Sequence, residues 1–200
     1  MRLAGLFTVS AALIFSGAAL AQDWVEFTSR EDKFFINFPA PPAVEDYDYH
    51  AEDDQLPRDQ YPVTARRYTA YRGDSRYSLI AVDYSQVLHV TTLKGATAWA
   101  AQLYRRMGQV TYDMYAHLDR IDGHQLQITK PDGRRLFVGI HFHYQGRKLY
   151  IMESEAPAGT PPPAAFQVSL QVLDDEGNPI RYNVDDDGNL HLPQRGGGGQ

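Results

Sequence analysis

The sequence contains no cysteine. Disulfides, thiolate metal sites, a thiol nucleophile and lipid attachment through a cysteine are all excluded, so folded stability rests on packing alone. Positive charge is scarce as well: 19 Lys and Arg stand against 25 Asp and Glu, a formal net charge of −6. That balance supplies neither the basic patch that nucleic acid requires nor a polybasic segment for anionic lipid. Signature motifs of catalysis are missing too. There is no G-x-S-x-G elbow or S-x-x-K pair, and the glycines fall in turns and in the terminal tail rather than in a phosphate-cradling loop. No cofactor is expected on these grounds. Long apolar runs are confined to the first 21 residues.

That one run reads as an export signal. Arg2 is its only charge, an apolar stretch follows from Leu6 to Phe15, and small residues lead to Ala19-Leu20-Ala21. A basic start, a short apolar middle and an A-x-A site predict cleavage between Ala21 and Gln22. The apolar stretch falls short of the ~20 residues needed to span a bilayer. The expected product is periplasmic or secreted and unlipidated, with no stable membrane insertion once the signal is removed. Losing Arg2 leaves it slightly more acidic. Residues 22–192 have the length of one domain, and residues 193–200, carrying Gly196 to Gly199, form a flexible tail.

Alternating apolar residues between short turn signals predict strands. Trp24–Phe27 and Lys33–Phe38 come first and are closed by Pro39-Ala40-Pro41-Pro42, which belongs at a sheet edge or corner because proline cannot donate to a ladder. An acidic extended stretch, Ala43–Ala51, leads into a polar loop at 52–60. Tyr61–Arg72 and Ser75–Ser85 flank the two-residue loop Gly73-Asp74, a register that sets Ala70 opposite Tyr77 and Tyr68 opposite Leu79. Leu93, Ala96, Ala100, Leu103 and Met107 share one face of a helix over Leu93–Met107.

A four-strand meander is predicted at 110–154. Ile121-Asp122-Gly123 and Pro131-Asp132-Gly133 serve as three-residue loops, and Gln145-Gly146 as a two-residue turn. In that register Leu118 meets Leu126, Leu126 meets Val138, Ile140 meets Ile151 and Phe142 meets Leu149. Pro161-Pro162-Pro163 starts a second helix over Ala164–Leu173, with Phe166, Leu170 and Leu173 facing inward. Pro179–Val184 and Leu190–Leu192 are short strand candidates across Asp187-Gly188-Asn189. The predicted class is α+β: a largely antiparallel sheet of about six to eight strands packed with two helices.

The segment Phe34-Phe35-Ile36-Asn37-Phe38-Pro39-Ala40-Pro41-Pro42 resembles the opening of an uncharacterised family of exported bacterial proteins, in which an aromatic strand runs into F-P-x-x-P. Leu149-Tyr150-Ile151-Met152-Glu153 and Phe166-Gln167-Val168-Ser169-Leu170 are similar to the end of the same family, and the strand order is similar to the PsbP/Mog1-like α+β fold. The resemblance implies an accessory or binding role. No catalytic residue travels with it.

His141 and His143 alternate on one strand face, with Tyr150 opposite His141 and Lys148 opposite His143. Two imidazoles on one face suit the start of a zinc or copper site. A third ligand, such as His117, His124 or a carboxylate, is then required, and a lysine neighbour opposes metal. The alternative is two polar residues on a wetter sheet face. Asp46, Asp48 and Glu52 share a strand face with His50, an oxygen-rich row that equally describes a charged edge strand. Asn183, Asp185, Asp187 and Gly188 imitate the start of a calcium loop, but Gln194 stands where the closing Glu belongs.

Aromatic residues are plentiful: 13 Tyr, 9 Phe and 2 Trp. One sheet face, carrying Tyr115, Phe137, Tyr150 and Met152 beside the histidines, is the candidate binding face, unless a helix covers it. The sequence therefore supports two functions. The first is a non-enzymatic periplasmic binding or accessory module whose partner is an envelope protein or small ligand. The second is a metal-dependent or hydrolytic envelope enzyme centred on His141 and His143.

Overall fold

Period-two patterning dominates the chain, and in the computed structural model it yields mostly antiparallel strands. The structure describes residues 24–49, 63–88 and 90–191. The predicted leader with its Ala21–Gln22 cleavage site, the polar loop at 52–60 and the terminal tail lie outside them. In chain order the elements are β1 (Val25–Ser29), β2 (Phe34–Phe38), β3 (Ala43–Asp46), β4 (Thr64–Arg72), β5 (Ser75–Asp83), α1 (Val90–Arg105), β6 (Gln109–Leu118), β7 (Ile121–Thr129), β8 (Arg135–His143), β9 (Lys148–Ala156), α2 (Ala164–Gln167), β10 (Gln171–Val172), β11 (Asn183–Val184) and β12 (Leu190–His191). With two helices and antiparallel sheets, the protein is α+β. No helix among the described residues is long and apolar enough to cross a membrane.

The strands divide into three sheets: a seven-stranded sheet ordered β3-β4-β5-β9-β8-β7-β6, a three-stranded sheet ordered β1-β2-β10, and the pair β11-β12. Pro39–Pro42 is the corner at which the chain passes from β2 in the small sheet to β3 in the large one. Prolines suit that corner because no ladder there needs their missing N–H.

Both faces of the large sheet are buried. On one face α1 lies over Ile80, Val82, Leu126, Val138, Ile140, Phe142, Leu149 and Ile151. The helix contributes Leu93, Ala96, Ala100, Ala101 and Tyr104 at three- and four-residue spacing, and its small alanines let the helix axis come close to the strands. On the other face the small sheet and α2 cover Tyr68, Tyr77, Leu79, Tyr150 and Met152 with Phe34, Ile36, Phe38, Phe166 and Leu170. Burying one such large side chain is worth roughly 1.5–3 kcal/mol.

Turn chemistry sets most of the register. Gly73, at φ +55°, closes the β4–β5 hairpin and pairs Ala70 with Tyr77 and Tyr68 with Leu79. Gly133, at φ +82°, serves the β7–β8 turn, where Leu126 meets Val138. Between β8 and β9, Ile140 meets Ile151 and Phe142 meets Leu149.

The β6–β7 hairpin differs from expectation. Its loop is Asp119-Arg120, both at positive φ (44° and 68°), and Leu118 pairs with Ile121 while Asp113 pairs with Leu126. The change in parity carries the β6 side chains from Tyr112 to Leu118 to the opposite face from that predicted, until an irregularity between Val110 and Tyr112 returns Val110 to the α1 face. Gly123, expected in a loop, lies in β7 opposite Ala116, where a Cβ would come within 2.3 Å of His141 Nδ1. The second helix is also shorter than expected. Its predicted end becomes β10, which pairs with β2, although Phe166, Leu170 and Leu173 are buried as the pattern required.

Candidate functional site

The histidines come first, because the sequence singled them out. His141 and His143 are both buried on the face beneath the small sheet. Both ring nitrogens of His143 are engaged: Nε2 lies 2.6 Å from the Tyr182 hydroxyl, and Nδ1 accepts from the Gly146 amide at 3.2 Å. Burial lowers both imidazoles to a pKa of about 4, so each is neutral at pH 7. Among the described residues, no three of His, Asp or Glu are placed to hold a metal ion. Asp185, in the calcium-like stretch, is occupied by its own turn, accepting from the amides of Asp187 (3.0 Å) and Asn189 (2.7 Å).

The aromatic candidates separate. Tyr150 and Met152 are fully buried in the layer between the two sheets, and Phe137 is fully buried as well. What covers Tyr150 and Met152 is a second sheet with a short helix, rather than the single helix considered above, and none of the three offers a surface. Tyr115 is 61% exposed and lies on the other face, opposite His124, for the parity reason given above. There it lines a cleft of about 230 Å³ between α1 and the β6–β7 hairpin, together with Lys94, Arg105, Asp122, His124 and Tyr144. Beside it, Arg105 donates to Asp113 through Nε at 2.7 Å and through Nη2 at 3.1 Å, and His124 bonds the same carboxylate.

A set of residues that the sequence did not single out forms the most polar buried group. At the end of the large sheet nearest the β1–β2 turn, Asp32 is 4% exposed. Its carboxylate accepts from Arg66 Nε (2.7 Å) and Nη2 (2.8 Å) and from the Tyr68 hydroxyl (2.5 Å). Lys148 Nζ lies between Asp83 at 3.0 Å and Asp32 at 3.6 Å. Tyr150 donates to the carbonyls of Asp32 (2.9 Å) and Lys33 (3.1 Å), and Arg66 also pairs with Glu31.

These contacts decide the charge states. Burial alone would raise the Asp32 carboxyl, but hydrogen bonds from Arg66 and Tyr68 outweigh it and hold the group below the usual carboxylate range. Asp83 behaves alike: burial opposes ionisation, while the Ser85 amide and Lys148 favour it. Burial and the neighbouring Asp32 push Tyr68 up to about 12. Asp32 and Asp83 are therefore carboxylates at neutral pH, and Tyr68 keeps its proton.

Beside it opens a cavity of about 320 Å³ lined by Glu31, Asp32, Asp46, Thr64, Arg66, Asp83 and Lys148 among others. Four carboxylates face two cations there, so the lining carries excess negative charge. One sequence signal pointed this way: Arg66 sits two residues before Tyr68, and Lys148 two before Tyr150. On strands, each charge shares the core-facing row of its neighbour.

No family model matches the chain, and no curated protein matches it either.

Proposed function

We propose that the chain is a non-enzymatic, exported binding module, and that the cavity beside Asp32 and Lys148 receives a small cationic group such as a primary ammonium or a guanidinium. The observation that carries this reading is the surplus of carboxylates in the lining. Arg66 and Lys148 are already engaged with Asp32 and Asp83, while Glu31 and Asp46 stand at the exposed rim. An arriving cation gains Coulomb energy from the rim at an effective dielectric between that of water and that of the interior. Concave sites with a few convergent polar groups are where small ligands bind.

The likeness of the Phe34–Pro42 segment to an exported bacterial family, and of the strand order to the PsbP/Mog1-like fold, supports an accessory rather than a catalytic role. The hydrogen-bonded succession β6-β7-β8-β9 supports reading residues 110–154 as a four-strand meander. The basic, apolar and small-residue order of residues 1–21 supports export to the periplasm or beyond.

The experiment is thermal melting of the protein with putrescine, methylguanidinium and, as a control, acetate at millimolar concentration. Ligand that binds only the folded state raises Tm in a saturable way. The amine or the guanidinium should do so and acetate should not, and the shift should fall when Glu31→Gln and Asp46→Asn are combined. Tm values that stay flat with all three probes, or a shift indifferent to the paired substitution, would refute the reading. Mass spectrometry of the secreted product, expected to begin at Gln22, tests the export step.

A further inference from the structure

Among the described residues, the large sheet ends in two unpaired edges that are built differently. The β3 edge has four residues, all exposed, and ends in Glu45 and Asp46, the short charged form that discourages strand addition. The β6 edge has ten residues, QVTYDMYAHL, of which only Asp113 is an acid or a permanent base. Tyr112, Met114 and Tyr115 are exposed along it, and among the described residues no strand pairs with its outer side.

The two-residue loop fixes which backbone groups face outward. Leu118 and Ile121 flank it as a hydrogen-bonded pair, and the alternation of an antiparallel ladder then makes Ala116, Met114 and Tyr112 bonded to β7. The N–H and C=O groups of Asp113, Tyr115 and His117 consequently point away from the sheet.

We propose that β6 is the docking edge for a second copy of this chain, joined antiparallel about a two-fold axis at Tyr115. In that register Tyr115 lies opposite its own copy. Asp113, held in its own chain by Arg105 and His124, faces His117 of the other chain, itself 3.1 Å from Asp122 of its own hairpin, at both ends of the pairing. On the opposite face Met114 meets Ala116, and Tyr112 meets Leu118. About six inter-chain backbone hydrogen bonds form, two for each bonded pair. Directly opposed side chains sit about 5 Å apart, close enough for each Asp–His and aromatic pair to contribute. Moving the axis to Asp113 would set two carboxylates face to face, which is unfavourable, and moving it to His117 would oppose Tyr115 to the Asp119 turn. The central register is the self-complementary one. The occupant follows from that complementarity: an isologous contact needs each surface to match itself, and this strand does.

Sedimentation equilibrium of the purified protein over micromolar to millimolar concentration tests the proposal. The mass should rise from one chain to two. Tyr115→Pro removes the outward N–H at the axis without touching a bond to β7, and should raise the dimer dissociation constant at least tenfold with the melting transition of the monomer retained. His117→Asp, which sets carboxylates opposite Asp113 of the other chain and also opposite Asp122 of its own hairpin, should weaken the dimer similarly without a backbone change, its monomer melting transition serving as the control, should Tyr115→Pro fail to fold. A single-chain mass throughout overturns the proposal, as does a dimer indifferent to the folded variants. Neither residue lines the cavity beside Lys148, so the amine-induced Tm shift tests that reading separately.

Discussion

The two faces of the seven-stranded sheet are finished with different materials. Under α1 the layer is largely aliphatic, with Tyr84, Tyr104 and Phe142 among the aliphatic residues, and is made thin by Ala96, Ala100 and Ala101; under the small sheet it is mainly aromatic, with Phe34, Phe38, Tyr68, Tyr77, Tyr150 and Phe166 filling the gap. Sheets stack about 10 Å apart, and long flat rings with edge-on neighbours span that distance. Phe34 meets Tyr68 edge-on at 4.8 Å, and Tyr77 meets Phe166 at 5.4 Å. Two tyrosine hydroxyls of this layer, Tyr68 and Tyr150, donate to the carboxylate and the carbonyl of Asp32, as Tyr104 donates to the buried Glu153 on the other face. The aromatic residues are thus spent on packing in both layers, most densely between the two sheets.

Substitutions can break the contrast between the faces. The largest loss is expected from Phe34→Ala in the aromatic layer, about 4 kcal/mol of unfolding free energy by urea titration, in the range for emptying a buried aromatic site. Asp32→Ala should follow at about 3 kcal/mol, because it leaves Arg66 and Lys148 without their shared carboxylate; Asp32→Asn recovers part if hydrogen bonding rather than charge dominates. On the aliphatic face, Ala100→Leu should cost about 2 kcal/mol by overpacking, whereas a cost near zero would show that the helix layer has room to adjust.

The smallest effect, taken per histidine and per pH unit, is titratable. His141 and His143, both on the sheet-covered face, have folded pKa values near 4, below the unfolded value of about 6.5. Between those limits the unfolded chain binds more protons, so stability falls as the pH is lowered, by about 1.4 kcal/mol per pH unit for each histidine. The depressed carboxyls of Asp32 and Asp83 act in the same direction at lower pH, below about 4. Chemical denaturation at pH 7, 6 and 5 measures the slope, and His141→Gln should remove about half of it. A flat profile would mean that the imidazoles are hydrated and the layer is looser than described.

The sequence made legible what glycine turns and alternation control. Gly73-Asp74 and Pro131-Asp132-Gly133 placed the pairs of β4 with β5 and of β7 with β8, and the spacing of Leu93, Ala96 and Ala100 located α1, which begins about a turn earlier than predicted. The β6–β7 register was hidden because Asp119 and Arg120 adopt positive φ without glycine, an uncommon choice. The glycine that drew attention, Gly123, lies where the ring of His141 leaves no room for a Cβ. The small sheet was invisible for another reason: β10 has two residues, and pairing with β2 is a long-range event that no local pattern records. The ion cluster was hidden likewise, since Asp32 comes from a turn and its partners from β4 and β9.

The closure of β2 by β10 has a consequence for the order of assembly. The Asn37 amide is met by Ser169 Oγ at 3.0 Å, 132 residues further along the chain. During folding, the hairpin of β1 and β2 carries Phe27, Phe34 and Phe38 with no lid until nearly the whole chain is available. Long loops of this kind slow the search for the native state and leave apolar strands exposed to wrong partners meanwhile. A chain shortened before Ser169 should therefore keep α1 on its face of the large sheet, yet aggregate through the aromatic strands that have lost their cover.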